Sequence, residues 1–559
     1  VSTDIALNQP RPLPRFAARL PSGWTMAALL VAGAVAAPIL AVLGGALAPA
    51  GPAWRHIADT VLADYIVNSV LLAVGVAVLT IAIGTSTAWL VTMHEFPGRR
   101  VFEVALLLPL AMPAYVMAYV YTDLLEFTGP VQTWLRARFG LAWGEYWFPE
   151  IRSIEGAIAM LGLVLYPYVY LLARAAFLEQ SVCLTEVART LGCTQRQAFF
   201  RVCLPLARPA IAAGTGLALM EALADFATVR HFAVDTFTTG IYQAWLNMGD
   251  RVAALQLAAC LMGVIAVLLA LERAARGAQR FHNTSSKHQF LARTRLPTGA
   301  AAAAVATCAV PILFGFLLPA GILLRFALTS GDPLFGPLIV PFARNSLLLA
   351  GVAAVVATAL AVVVAYGVRL RGTRLMLAAS RVASLGYAIP GSVIAVGVLV
   401  PFGAFDNAVD AWMRARFGIS TGLLLSGTIV ALVFAYVVRF LAVALSAVEA
   451  GLARIRPSVE DASRMLGHGP RRTLLAVHLP LLRGSLIAAV LLVFVDTMKE
   501  LPATLIVRPF DLDTLAVRVY NLASDEKLAQ ASTAALLIVA VGLIPVIILS
   551  RAMKRTGQR

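Results

Sequence analysis

Twelve apolar runs, six on either side of a basic linker, leave few folds open to this chain. They lie near 25–48, 65–93, 102–125, 154–177, 209–231 and 253–271, then near 299–327, 343–369, 375–402, 421–447, 484–505 and 529–550. Runs of this length span a hydrocarbon core about 30 Å thick when helical. With 60% hydrophobic and 13% charged residues, a soluble fold would have to bury all of them in one very large core. We expect an all-α integral membrane protein of about 12 transmembrane helices in a lipid bilayer.

The formal charge of +16 does not point to nucleic acid. The basic residues are scattered among short loops, with no aromatic side chains interleaved for base stacking. Their placement follows the positive-inside rule instead. The linker 272–297 has six Lys/Arg against one acid, and Arg551, Lys554, Arg555 and Arg559 follow the last run. Arg11, Arg15 and Arg19 precede a first run that is long for a cleaved signal and reads as a retained anchor. Both termini are therefore expected in the cytoplasm.

The chain repeats itself. Glu186–Leu206 (EVARTLGCTQRQAFFRVCLPL) and Asp461–Leu481 (DASRMLGHGPRRTLLAVHLPL) share eight identical positions at an offset of 275. Among them are Arg189/Arg464, Gly192/Gly467, Arg196/Arg471 and Leu204-Pro205/Leu479-Pro480. The repeat extends outwards. Asn68-Ser matches Asn345-Ser, Met112-Pro113 matches Ile389-Pro390, and Asp235-Thr236 with Tyr242 match Asp513-Thr514 with Tyr520. Six runs per copy give both copies one orientation, hence parallel repeats about an axis along the membrane normal. The expected units are residues 1–271, a linker 272–297, and residues 298–559.

In each loop a short helix is expected to stop at a glycine able to take the left-handed conformation, Gly192 or Gly467. A second helical segment, 195–202 in the first copy, carries Phe199 and Phe200. Leu204-Pro205 is then expected to mark the turn into the next span, because proline cannot continue a preceding helix. A polar helix with an apolar ridge, present twice, suits insertion into a groove on a soluble partner.

The pattern acidic-x-small-x-x-x-Gly followed by Leu-Pro resembles the EAA loop of ABC importer permeases. That resemblance implies the type I (MetI-like) permease fold, with a coupling helix seated on an ATPase subunit. Carried over, the ATPase-coupling residues would be Glu186, Ala188, Arg189, Gly192, Phe199, Leu204 and Pro205. In the second loop they would be Asp461, Ala462, Arg464, Gly467, Leu474, Leu479 and Pro480. Val187 at an alanine position and Asp461 in place of glutamate depart from the usual pattern. The chain has no phosphate-binding loop and no Gly-Lys pair, so it binds no cofactor of its own. ATP and Mg would belong to two copies of a partner ATPase. The stretches Met220–Trp245 and Lys499–Ser532 are similar to fused ferric-iron permeases. This implies Fe(III) delivered by a periplasmic Fe(III)-binding protein, across a bacterial inner membrane. Thiamine and polyamine permeases share the loop.

Glu221 and Asp225 recur as Asp496 and Glu500 at offset 275, within the fifth run of each copy. Ionised carboxylates facing lipid cost about 2.5–3.5 kcal/mol each. They should therefore face the bundle interior, four residues apart on one helical face, with Lys499 as a candidate partner for Glu500. They would line a cation route, or lock the two halves closed as a gate. A secondary transporter could use such acids as proton relays, but it has no need of a duplicated docking loop. Five cysteines and seven histidines form no metal-ligand spacing, and no paired nucleophile and base supports an enzyme. Tyr166, Tyr168 and Tyr170 read as helix packing.

Overall fold

A computed structural model describes residues 23–142, 145–179, 194–276, 293–329 and 339–556. Among them, 11 helices are long and apolar enough to cross a membrane. A twelfth span arises if Arg99–Ala111 and Ala114–Phe139, bent by 90°, count as one.

The first half comprises α1 (Gly23–Ala46), α2 (Leu62–Met93), α3 (Arg99–Ala105), α4 (Ala114–Leu125), α5 (Pro130–Phe139) and α6 (Ile154–Glu179). It continues with α7 (Leu204–Ala224), α8 (Ala227–His231), α9 (Phe237–Tyr242) and α10 (Arg251–Arg276). The second half opens with α11 (Thr298–Ile312) and α12 (Leu318–Thr329), joined by a π turn, then α13 (Ile339–Arg371) and α14 (Arg374–Ala383). There follow α15 (Gly391–Phe417), α16 (Ile429–Ala453), α17 (Pro457–Met465), α18 (Leu479–Met498), α19 (Pro502–Val507), α20 (Leu515–Ser524) and α21 (Leu528–Thr556).

Small residues let the core helices approach. A Cβ on Gly75 would meet the Ile158 side chain at 2.4 Å and one on Gly84 would meet Tyr170 N at 2.9 Å, so these glycines let α6 pack closely on the backbone of α2. In the second half Ala350, Ala353, Ala354, Ala357 and Ala361 of α13 are fully buried and serve the same purpose. The first helix of each half crosses over. α1 packs on α13, α14 and α15, while α11 and α12 pack on α2, α3 and α4.

Three expectations need correction. The runs 102–125 and 375–402 are not continuous helices. Met112 and Ile389 take extended backbone (ψ 120° and 127°), as residues before proline do, and Pro113 and Pro390 start the new helices α4 and α15. The fifth spans, expected at 209–231 and 484–505, start earlier and stop at Ala224 and Met498. Leu204-Pro205 and Leu479-Pro480 mark no turn. The chain runs through π turns, Phe199–Cys203 and Leu474–His478, directly into α7 and α18. In each, the N–H of the leucine before proline reaches back five residues, to Phe199 O or Leu474 O. The proline sits in the first turn of the following helix, where its missing N–H costs least.

The repeat holds in atomic detail. Asn68 Nδ2 donates to Asp235 O (2.9 Å), and Asn345 Nδ2 to Asp513 O (3.1 Å). Ser69 Oγ accepts from Phe237 N (3.5 Å), and Ser346 Oγ from Leu515 N (2.8 Å). A two-residue parallel pair, His94–Glu95 with Thr294–Arg295, ties the end of the linker to the end of α2.

Candidate functional site

Helices α7 and α18 both break beside an acid, and this breakage builds the centre of the molecule. Asp225 leaves the helix (ψ 134°), so it does not share a helical face with Glu221 as expected. Its carboxylate instead accepts from Thr228 N (2.8 Å), Thr228 Oγ1 (3.0 Å) and Val229 N (3.3 Å), satisfying the start of α8. Glu500 does the same for α19, accepting from Ala503 N at 2.7 Å. A broken helix whose freed amides are met by its own carboxylate is stable at membrane depth where it lines a cavity.

That cavity, about 110 Å³, lies between the halves. Glu221, Asp225 and Tyr168 of the first half and Arg439, Asp496, Lys499 and Glu500 of the second all line it. Thus all four expected acids face the interior together. Lys499 pairs with Asp496 (3.1 Å), one turn back on α18, rather than with adjacent Glu500. The partner of Glu500 is Arg439 on α16, at 3.7 Å, which also reaches Glu221 at 3.9 Å. This guanidinium is 6% exposed and bridges an acid of each half. Its Nε and Nη1 make no hydrogen bond, so charge rather than short bonds holds it. A Cβ at Gly391 would fall 2.4 Å from Arg439 Nη1 and 2.5 Å from Glu500 Oε1, so only glycine leaves room for the bridge.

Comparison of the two halves overlooks Arg439, because Val164 stands at the equivalent position. The signal available was a lone arginine inside an apolar run, where an ionisable residue is a functional candidate by default. Tyr166 and Tyr170 are fully buried packing residues, as expected. Among the described residues no group of three His, Cys, Asp or Glu is arranged to hold a metal ion. Cys203, Cys260 and Cys308 form no disulfide.

The second repeated loop is described in full. α17 ends in a Schellman turn: Gly467 N donates to Arg464 O (2.9 Å) and His468 N to Ser463 O (3.1 Å), with Gly467 at φ +78°. The loop is clamped to α13 by Arg369, which binds Glu460, Leu452 O and Ile455 O. Asp461, Ala462, Arg464 and Pro480 are exposed, Leu479 is half-buried, and Leu474 is buried as an inward anchor. Met465 and Leu466 stand 90% and 76% exposed beside the turn, an apolar tip that the described residues leave uncovered. In the first loop Glu186, Ala188, Arg189 and Gly192 lie outside the described residues. Phe199 packs inward against Trp89 (4.5 Å) and Phe177 (6.4 Å), Pro205 is exposed and Leu204 half-buried.

Two like helical halves with a charged cavity between them are the architecture of a membrane transport permease. The chain belongs to the family described as binding-protein-dependent transport system inner membrane component, which matches residues 80–276 and again 357–556. It is the permease of an ABC importer, a multi-pass inner-membrane protein. It is 27% identical over 88% of its length to the Fe(3+)-transport system permease protein FbpB 2 of Haemophilus influenzae, covering 90% of that protein. It is 23% identical over 82% of its length to the ferric transport system permease protein FbpB of Actinobacillus pleuropneumoniae, covering 66% of that protein. The molybdenum transport system permease protein ModB of Escherichia coli K12 is 27% identical over 38% of the chain, covering 93% of ModB.

Proposed function

We propose that this chain translocates Fe(III), delivered by a periplasmic binding protein and driven by two ATPase subunits docked at the repeated loops. The observation that carries the cargo is similarity to a Fe(3+) permease along nearly the whole of both chains. The chemistry of the cavity agrees, since four carboxylates against two bases favour a cation over an oxyanion. Oxygen ligands suit a hard cation.

ATP and Mg reside on the ATPase partners, whose cleft receives the Met465-Leu466 tip of the second loop and its counterpart in the first. The loops and both termini face the cytoplasm. The four acids act as a gate rather than a lining. In this state each is neutralised or capped by the protein itself, and Arg439 joins one half to the other.

The test is reconstitution in liposomes with the ATPase and candidate binding proteins, each with and without ligand. Iron-loaded binding protein should raise ATP hydrolysis and carry radiolabelled iron inwards. Stimulation by a thiamine- or polyamine-binding protein, with none by the iron protein, would replace the cargo and keep the class.

A further inference from the structure

One face of α4 carries hydroxyls that the fold leaves unmatched. Tyr115, Tyr119 and Thr122 stand at i, i+4 and i+7, one above the other along the helix. They are 5%, 3% and 3% exposed, and none of their hydroxyls has a hydrogen-bond partner among the described residues. On the neighbouring helix α8, Nε2 of His231 is buried and unpartnered in the same way, with its ring edge-on to Tyr119 at 4.6 Å.

Buried tyrosines elsewhere find partners. Tyr121, on another face of α4, donates to Phe314 O at 2.6 Å, and Tyr170 donates to Glu103 O at 2.9 Å. Tyr436 bonds Thr504 Oγ1 at 2.7 Å. Tyr166 is unmatched too, but it lies off the wall of the central cavity. Buried polar groups are nearly always hydrogen-bonded, so three aligned exceptions call for a partner from outside the chain.

The stripe joins two cavities. Tyr115 lines the central one together with Glu221, Asp225, Asp496 and Glu500. Leu125, about 15 Å along the helix from Tyr115, lines a second cavity of about 400 Å³ with Glu126, Tyr146, Glu150 and Arg152. α6 starts beside this second cavity at Ile154, and Phe177 near its other end packs on Phe199 of the first repeated loop. The second cavity therefore lies a helix length away from that loop.

The second half keeps only the first rung. Ser392 stands where Tyr115 does, fully buried with its Oγ unpartnered, but Val396 and Leu399 replace Tyr119 and Thr122. The same helix can thus be built with apolar side chains, and the stripe is no requirement of the fold. We propose that Tyr115, Tyr119 and His231 are transient ligands that pass Fe(III) from the second cavity along α4 to the central carboxylates when the gate opens. This rests on the reading that Fe(III) is the cargo. Phenolate oxygen is a hard donor and suits a hard cation. Each phenol exchanges its proton for the metal, the protons pass to water in the two cavities, and no electron moves.

The experiment uses the permease with its ATPase subunits in liposomes and an iron-loaded periplasmic binding protein, reading iron uptake and ATP hydrolysis together. Y115F/Y119F keeps both rings and removes both hydroxyls. Uptake should fall roughly tenfold or more, while stimulated hydrolysis persists because the repeated loops and the four acids are intact. Y166F, which removes an unmatched phenol off the route, should leave both at wild-type levels. In nanodiscs without binding protein, Fe(III) nitrilotriacetate should give the complex a visible phenolate-to-iron charge-transfer band. That band should vanish in Y115F/Y119F and remain in Y166F. Wild-type uptake in Y115F/Y119F overturns the proposal and leaves the two rings as packing. An equal fall in Y166F overturns it, as does a wild type without the band or a band that survives in Y115F/Y119F. A wild type that moves no iron, and answers only to a thiamine- or polyamine-binding protein, ends the iron reading and this proposal with it, before any variant is made.

Discussion

At the scale of single residues, the centre is held by an arithmetic of charge. Arg439 has two carboxylates within 4 Å and almost no water, so its loss would leave Glu221 and Glu500 facing each other without a counter-charge. Breaking a buried pair by removing one partner costs about 3–5 kcal/mol. We expect Arg439→Gln to lower the thermal midpoint of the purified permease clearly. Adding E221Q and E500Q to it should recover most of that loss, because the three groups act as one set. A triple variant as unstable as R439Q alone would show that the guanidinium matters for packing rather than charge. The acids were legible in the sequence because they occur twice at one spacing. Arg439 was not, because it breaks the repeat, and a search for symmetry is blind to the residue that departs from it.

At the scale of elements, the second loop shows how much one backbone angle carries. Gly467 at φ +78° has open space around it, so a substitution meets no clash and is penalised by conformation alone. Gly467→Val should cost about 1–2 kcal/mol locally and splay the Met465-Leu466 tip. Gly467→Asn, which tolerates the left-handed region, should cost less. Binding-protein-stimulated ATPase should fall in the order Gly, Asn, Val, with insertion into the membrane unchanged. Equal activity in all three would remove the turn from the coupling path. The left-handed glycine was readable from its place after a short polar helix. The continuous entry into α7 and α18 was not, because a Leu-Pro pair reads locally as a stop. A π turn, which takes one extra residue to realign the helix, leaves no mark in composition. The breaks at Met112-Pro113 and Ile389-Pro390 were visible as matched prolines. A matched proline marks the alignment of the two halves whether or not it ends a helix.

At the scale of the whole molecule, the halves are interlocked twice, by crossed first helices and by charge at the cavity. Because α1 packs on α13, α14 and α15, residues 1–271 and 298–559 expressed as separate chains should co-purify. Removing residues 1–48 should weaken their association without abolishing it, because α11 and α12 still pack on α2, α3 and α4. The charge interlock decides the mechanism. Neutralising Glu221, Asp225, Asp496 and Glu500 to Gln or Asn keeps size and removes every carboxylate charge from the cavity. A gate that holds the resting state closed would then lose its restraint, and the closed population can fall only by as much as those contacts had favoured it. Hydrolysis in the absence of binding protein should therefore rise, with iron leaking where it had been held. A lining that merely conducts predicts the reverse, a fall in transport with resting hydrolysis unchanged. The geometry favours the gate. Asp225 spends both oxygens on the start of α8 and Glu500 spends Oε1 on Ala503 N and Arg439, while Glu221 and Asp496 are paired with Arg439 and Lys499, so each acid is already engaged within the protein in this state. Higher resting hydrolysis in the fourfold variant is the expected result. Resting hydrolysis and transport both at wild-type levels would leave these acids as caps of broken helices and nothing more.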